Sequence, residues 1–227
     1  MNIKWYGQSC FLLTDENGVR ILTDPCGPGT GYSLQNIECD GLTVSHGHFD
    51  HNYIEAACGS PLIMTEPGSY CVNGVKITGF AAFHDNEGGA KRGANTMFLF
   101  EMDGMRILHA GDIGHQLSKE QLAEIGVVDV LLVPIGGTYT LNYLEAREFA
   151  NSLRPSVVIP MHFRTPVCAL SELDDCQNFV STVQDCRIHK LNDCEASIYR
   201  NTLGEDRVLV LDPCIEKDGA EQVSFDI

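Results

Sequence analysis

The sequence predicts a single α/β domain spanning residues 1–227, and three observations carry that expectation. The composition is that of a globule with a substantial core: 44% of the 227 residues are apolar and 20% are charged. Short β-prone runs dominate the first half, and apolar runs alternating with segments of helical period follow. No linker, repeat or low-complexity tract divides the chain.

In order, Ile3–Tyr6, Cys10–Thr14 and Val19–Thr23 read as strands, the last two joined by the turn Asp15–Gly18. Gly27–Gly31 is a glycine-rich loop, without the Lys-Ser/Thr ending or the following helix that a phosphate-binding loop needs. Leu42–Ser45 is a strand running into a histidine cluster, and Tyr53–Cys58 is expected as a short helix. Leu62–Thr65, Cys71–Val72 and Val75–Phe83 are further strands, punctuated by Pro67-Gly68 and Asn73-Gly74. Thr96–Glu101 and Arg106–His109 form a hairpin on Asp103-Gly104. Ser118 is the expected cap of a helix Lys119–Ile125 that stops at Gly126. The apolar runs Val128–Pro134 and Val157–Ile159 read as buried strands. Between them Tyr143–Leu153 reads as a helix with Leu144, Phe149 and Leu153 facing inward. Leu173–Val183 is a last helix, and short strands then lead to an acidic tail.

The chain has 15 Lys+Arg against 31 Asp+Glu, a formal charge of −16. That balance disfavours a nucleic-acid backbone or an anionic membrane surface as partner, and no basic arm offers a grip on RNA. No apolar run approaches the roughly 18 residues of a membrane span. The opening Met-Asn-Ile-Lys-Trp-Tyr-Gly lacks the apolar core of a secretory signal, so a cytoplasmic location is expected. The ten cysteines contain no Cys-x-x-Cys pair, which argues against a zinc ribbon or a thioredoxin motif. They are expected as reduced thiols, mostly small buried apolar residues.

The sharpest feature is His46-Gly-His48-Phe-Asp50-His51, with four potential metal ligands in six residues. In an extended segment His46 and His48 share one side, because side chains alternate with period two. Asp50 and His51 follow where the chain should turn, and so can face a second position nearby. Imidazole and carboxylate together suit zinc, iron or manganese. The plain alternative is a solvated histidine turn.

This motif, after a hydrophobic strand, resembles that of the metallo-β-lactamase superfamily of metal-dependent hydrolases. There a His, an Asp and a His follow downstream. His84, Asp112 and His162 stand in that order here, each just past an apolar strand. The resemblance covers about residues 1–165 and includes Thr23-Asp24-Pro25. It looks closest to a branch of small bacterial Zn-dependent hydrolases that includes ascorbate-6-phosphate lactonase-like enzymes. Ala90-Lys-Arg-Gly-Ala-Asn95 and Pro160-Met-His-Phe-Arg-Thr165 resemble that branch as well.

The resemblance implies a four-layer αββα sandwich, with two mixed sheets face to face, helices outside and ligands on loops at one edge. It also implies the ligand set. His46, His48 and His84 would bind one metal, Asp50, His51 and His162 a second, and Asp112 would bridge them. Two divalent ions ~3.5–4 Å apart would share a hydroxide as nucleophile. Zinc is the first choice, with manganese and iron compatible. Asp50, touching metal and water, is the candidate proton shuttle.

The expected substrate is a small ester, lactone or phosphodiester. Lys91 and Arg92, in a glycine-rich loop after His84, would suit an anionic one; a solvated loop is the alternative. Tyr139 and Arg164 are further candidate substrate contacts, and His109 a candidate outer partner of a ligand. Two other readings stay open. A diiron redox protein of this superfamily uses a Glu where His48 stands and needs a flavin-binding partner domain. A non-catalytic metal-binding module should have lost ligands, whereas all seven candidates are present. Assembly into a homo-oligomer is compatible with this composition.

Overall fold

The first β-prone run becomes β1 (Asn2–Gly7), where Ile3 and Trp5 are buried between half-exposed neighbours, followed by β2 (Cys10–Thr14) and β3 (Arg20–Thr23). The computed structural model describes residues 1–184, 186–203 and 207–214, so the acidic tail lies outside the described residues. Four short strands follow: β4 (Ile37–Glu38), β5 (Gly41–Thr43), β6 (Ala57–Cys58) and β7 (Leu62–Met64). Next come β8 (Gly68–Val72), β9 (Val75–Phe83), β10 (Ala94–Met102) and β11 (Met105–His109). Two of their hairpins turn on Asn73-Gly74 and Asp103-Gly104, and all four of these residues have positive φ, between 46° and 94°, which primed turns require.

The second half alternates. α1 (Lys119–Ile125) begins in a capping box between Ser118 and Gln121, and β12 (Val130–Pro134) follows. α2 (Tyr143–Leu153) is capped in the same way by Asn142 and Glu145. Then come β13 (Val157–Met161), α3 (Cys176–Thr182), β14 (Arg187–Lys190), β15 (Glu195–Ser197) and β16 (Arg207–Val210).

Among the described residues the strands form a six-stranded sheet ordered β15-β1-β2-β3-β5-β7, an eight-stranded sheet ordered β14-β16-β13-β12-β11-β10-β9-β8, and the small β4-β6 pair. Ile3, Trp5, Phe11, Leu13 and Ile21 of the first sheet share one core with Ile77, Phe98, Phe100 and Ile107 of the second. β12 and β13 are buried along their whole length, as parallel strands covered on both faces are. α2 packs on β12 and α3 on α2. On the far side of the six-stranded sheet, Leu22, Leu42 and Val44 pack against Tyr32, Leu34 and Ile37. That outer layer is built of loops and the single turns Pro28–Thr30 and Ile54–Ala56 rather than α-helix. No helix among the described residues is long and apolar enough to cross a membrane.

Several expectations need correction. Tyr53–Cys58 is a single 3-10 turn followed by β6, because so short a segment cannot support helix nucleation and Ala57–Cys58 instead pairs with Ile37–Glu38. Leu144 is 59% exposed; the buried stripe of α2 is Ala146, Phe149, Ala150 and Leu153, and Leu144 falls off that i, i+3, i+4, i+7 spacing. The last helix starts at Cys176 rather than Leu173, because the Asp175 side chain accepts from Gln177 N and sets the cap. Of the cysteines only Cys10, Cys26 and Cys39 are buried; Cys71 is exposed and the other six are half-buried.

Candidate metal centre

β3 and β5 are parallel neighbours. β9 and β11 both run antiparallel to β10, and β11, β12 and β13 are parallel. The segments leaving β3, β5, β9, β11 and β13 at their C-terminal ends therefore converge on one edge of the sandwich. They carry Asp24, the His46–His51 motif, His84, Asp112 and His162.

Asp112 sits at the centre. Its Oδ2 lies 3.2 Å from His51 Nε2, 3.3 Å from His84 Nε2, 3.3 Å from His162 Nε2 and 4.0 Å from His46 Nε2. On one side His46 Nε2 faces His48 Nδ1 at 3.0 Å. On the other, Asp50 Oδ2 lies 3.4 Å from His162 Nε2 and 3.5 Å from His51 Nε2. One ligand atom from each of His46, His48 and His84 fits within 4.8 Å, and so does one from each of Asp50, His51 and His162. All seven sequence candidates are thus brought together.

The donor set fits a divalent cation. His51 Nε2 and Asp112 Oδ1 are buried and have no hydrogen-bond partner among the described residues, and buried polar groups are seldom left so. The tautomers agree. The His51 Nδ1–H donates to Asp24 Oδ2 at 2.8 Å. The Ser45 hydroxyl donates to the same oxygen at 2.5 Å and accepts from His46 Nδ1 at 3.0 Å. With Nδ1 as donor, each ring in its neutral form would aim an Nε2 lone pair inward, the arrangement by which an outer carboxylate orients a metal-bound histidine.

The electrostatics demand positive charge. Burial alone would push the Asp112 carboxyl up, but His162 and His51 hold it well below the usual carboxylate range. Burial would lower His51, yet Asp112 and Asp50 raise it well above the ordinary histidine value. His46, buried and next to His51, is pushed down to about 3 and stays neutral. Buried carboxylates of this kind are paired or bind metal.

Residues that sequence reasoning passed over hold the loops. Asn95 accepts the Asp112 N–H at 2.9 Å and donates to Ala110 O at 2.9 Å. Ser45 also donates its backbone N–H to Asp24 Oδ1 at 2.8 Å. The Ala-Asn95 pair stood inside a recognisable stretch, but nothing local marks an Asn as a loop clamp. His109 lies outside the ligand set: its Nε2–H donates to Ser9 O at 2.8 Å and its Nδ1 accepts from Gly111 N at 3.2 Å.

Gly111 lets these parts close up. Its φ is +56°, and a Cβ there would fall 2.6 Å from Ser45 Cβ and closer still to Asn95 Oδ1. Gly111→Ala should cost about 1–3 kcal/mol by overpacking and reduce metal retention. Denaturation midpoints with parallel metal analysis check this; wild-type values for both would mean that the loop yields freely.

A cavity of about 360 Å³ opens over the cluster, lined by His48, Asp50, His84, Asp112 and His162 with Phe49, Arg92, Tyr139 and Leu170. Arg92 donates to Thr138 O at 3.0 Å and its guanidinium lies 5.6 Å from the Tyr139 ring centre. The Tyr139 hydroxyl donates to Glu172, so the ring rather than the hydroxyl faces Arg92. Arg164 is not brought to this cavity. It donates to Ser171 O at 3.2 Å and pairs with Asp175 at 3.9 Å, beside a separate cavity.

Residues 2–162 match the profile of the β-lactamase superfamily domain. A UPF0173 metal-dependent hydrolase from Pyrobaculum islandicum is 30% identical over 220 residues, covering 83% of this chain and 96% of that protein. A solved structure from Thermotoga maritima, described as a Zn-dependent hydrolase of the metallo-β-lactamase superfamily, is 36% identical with a TM-score of 0.77, covering 92% of this chain and 97% of that one. A metallo hydrolase from Ignicoccus hospitalis shares the fold at a TM-score of 0.67, with 23% identity over 93% of this chain and 95% of its own.

Proposed function

The chain belongs to the metallo-β-lactamase superfamily and is a metal-dependent hydrolase, and from that premise we propose that it cleaves a small ester, lactone or phosphodiester with two divalent ions, zinc first among them. The observation that carries the reading is the place of Asp112, whose Oδ2 has histidine Nε2 atoms from both halves of the cluster at 3.2–4.0 Å.

When bound, the ions supply a water that loses its proton near neutral pH and a Lewis acid for the developing oxyanion. His46, His48 and His84 would hold one ion and Asp50, His51 and His162 the other, and Asp112, which touches histidines of both groups, would complete the set. Burial alone would push the Asp50 carboxyl up, but His51 and His162 hold it well below the usual carboxylate range. It is therefore ionised at neutral pH and able to take a proton, and the role we assign it is to take the nucleophile's proton and return it to the leaving oxygen. Phe49 and Leu170 offer an apolar wall, and Arg92 offers N–H donors to an anionic substituent. The nitrogen and oxygen donors, with no cysteine among them, support zinc or manganese. The acidic chain and the small cavity support a small-molecule substrate over a polymer.

Metal analysis tests the reading. Protein purified without chelator should carry two equivalents of zinc or manganese and show no visible absorption, and turnover lost to a chelator should return with the metal. Less than one equivalent, or an oxo-bridged iron spectrum, would sink it. The substrate side has its own test. Arg92→Ala should raise KM for an anionic substrate about tenfold to a hundredfold, the usual weight of a charge-assisted hydrogen bond. An equal rise for a matched neutral ester would remove the anion-binding role.

A further inference from the structure

His84 and Asp85 are sequence neighbours with different surroundings. His84 faces the metal cluster, whereas Asp85, 4% exposed, folds the loop that follows it. Asp85 Oδ1 accepts the N–H groups of Glu87 and Gly89, and Oδ2 those of Lys91 and Arg92, each at 2.8 Å. The loop closes through Gly93 N–H to Gly89 O at 3.0 Å and His84 N–H to Gly93 O at 3.1 Å. Gly88, Gly89 and Gly93, with φ between 67° and 88°, allow that curvature. One carboxylate thus replaces the hydrogen bonds a strand or helix would give this segment.

The consequence falls on two adjacent cations. With both backbone N–H groups on the same oxygen, Lys91 and Arg92 have fixed directions. Lys91 turns outward to an exposed ion pair with Glu87. Arg92 turns inward, across Thr138 O and the Tyr139 ring, to the cavity that His84 and Asp112 also line. Asp85 does not line that cavity.

We propose that Asp85 is the positioning residue for anion recognition: it holds Arg92 over the metal cluster and so decides whether the site prefers a carboxylate- or phosphate-bearing substrate. The proposal rests on the reading of Arg92 given above. Asparagine keeps the shape but has one acceptor oxygen and an NH₂ that cannot accept. Asp85→Asn therefore leaves about two of the four N–H groups unanswered and frees the Arg92 backbone.

The test compares calorimetric affinities of zinc-loaded protein for N-phenylsuccinamate and N-phenylbutanamide, anilides matched in size that differ by a carboxylate and resist cleavage. Wild type should favour the anion by about tenfold or more. Asp85→Asn should lose most of that preference, keep its affinity for the neutral anilide within about twofold, and retain its zinc. In an Arg92→Ala background the same change should add nothing. The Arg92 Nε–H resonance should shift in Asp85→Asn, which loss of support to His84 alone would not cause. Asp85→Ser is the second variant if the asparagine protein does not fold. A preference lost in Arg92→Ala but kept in Asp85→Asn overturns the proposal alone. So does zinc loss, an equal change for both anilides, or additivity. No preference in wild type overturns the Arg92 reading, and the proposal with it.

Discussion

Asp112→Ala should strip the protein of its metal and leave turnover below detection. The carboxylate is 2% exposed and touches histidines from both halves of the cluster. Without it, the imidazoles face one another with only Asp50 among them and Asp24 behind them. Losing a mere outer partner typically weakens metal binding 10- to 100-fold, so losing this central group should weaken it by more than about 100-fold. Competition against a chromophoric chelator measures the change. The fold should persist, because Asn95 binds the Asp112 backbone N–H, which alanine keeps. A variant with wild-type affinity would remove Asp112 from the ligand set.

Asp50→Ala should separate chemistry from metal retention. At saturating zinc, kcat should fall by about 10²- to 10⁴-fold, the usual weight of a positioned proton acceptor. Metal should stay, more weakly held, on the five histidines and Asp112. Asp50→Asn sharpens the reading, since it keeps an oxygen donor but cannot take the proton. If Asp50→Asn recovers most of the rate, Asp50 serves as a ligand and not as a shuttle. Neither change should unfold the chain, because the larger apolar core lies between the sheets and Asp50 is part of neither core.

The elements that sequence reading found were those with a local cause. β1 announces itself by its β-prone run, α1 by Ser118, and two hairpins by Asn73-Gly74 and Asp103-Gly104. The motif at 46–51 is legible because four potential ligands in six residues have few other uses. What escaped is set by partners distant in sequence. Asn95 matters only because the Asp112 loop arrives beside it, and Ser45 because Asp24 does. Ala57–Cys58 read as helix until Ile37–Glu38 offered it a ladder. Arg164 stands two residues from His162 yet leaves the site, because Ser171 and Asp175 draw it away. The direction of Arg92 depends on a carboxylate seven residues earlier, which no periodicity reveals.

The edge where the strands end has a consequence for biosynthesis. Asp24 and the 46–51 motif leave the six-stranded sheet, while His84, Asp112 and His162 leave the eight-stranded one. A cation seated among them is a rivet through both halves of the sandwich. Of these residues, His162 is the last to be translated. A ribosome must have made more than two thirds of the 227 residues before the rivet can be set. Capture of the ion on the full set is therefore a late event in maturation, and it requires that loops from both sheets have already met, although β14, β15 and β16 follow His162 in the chain.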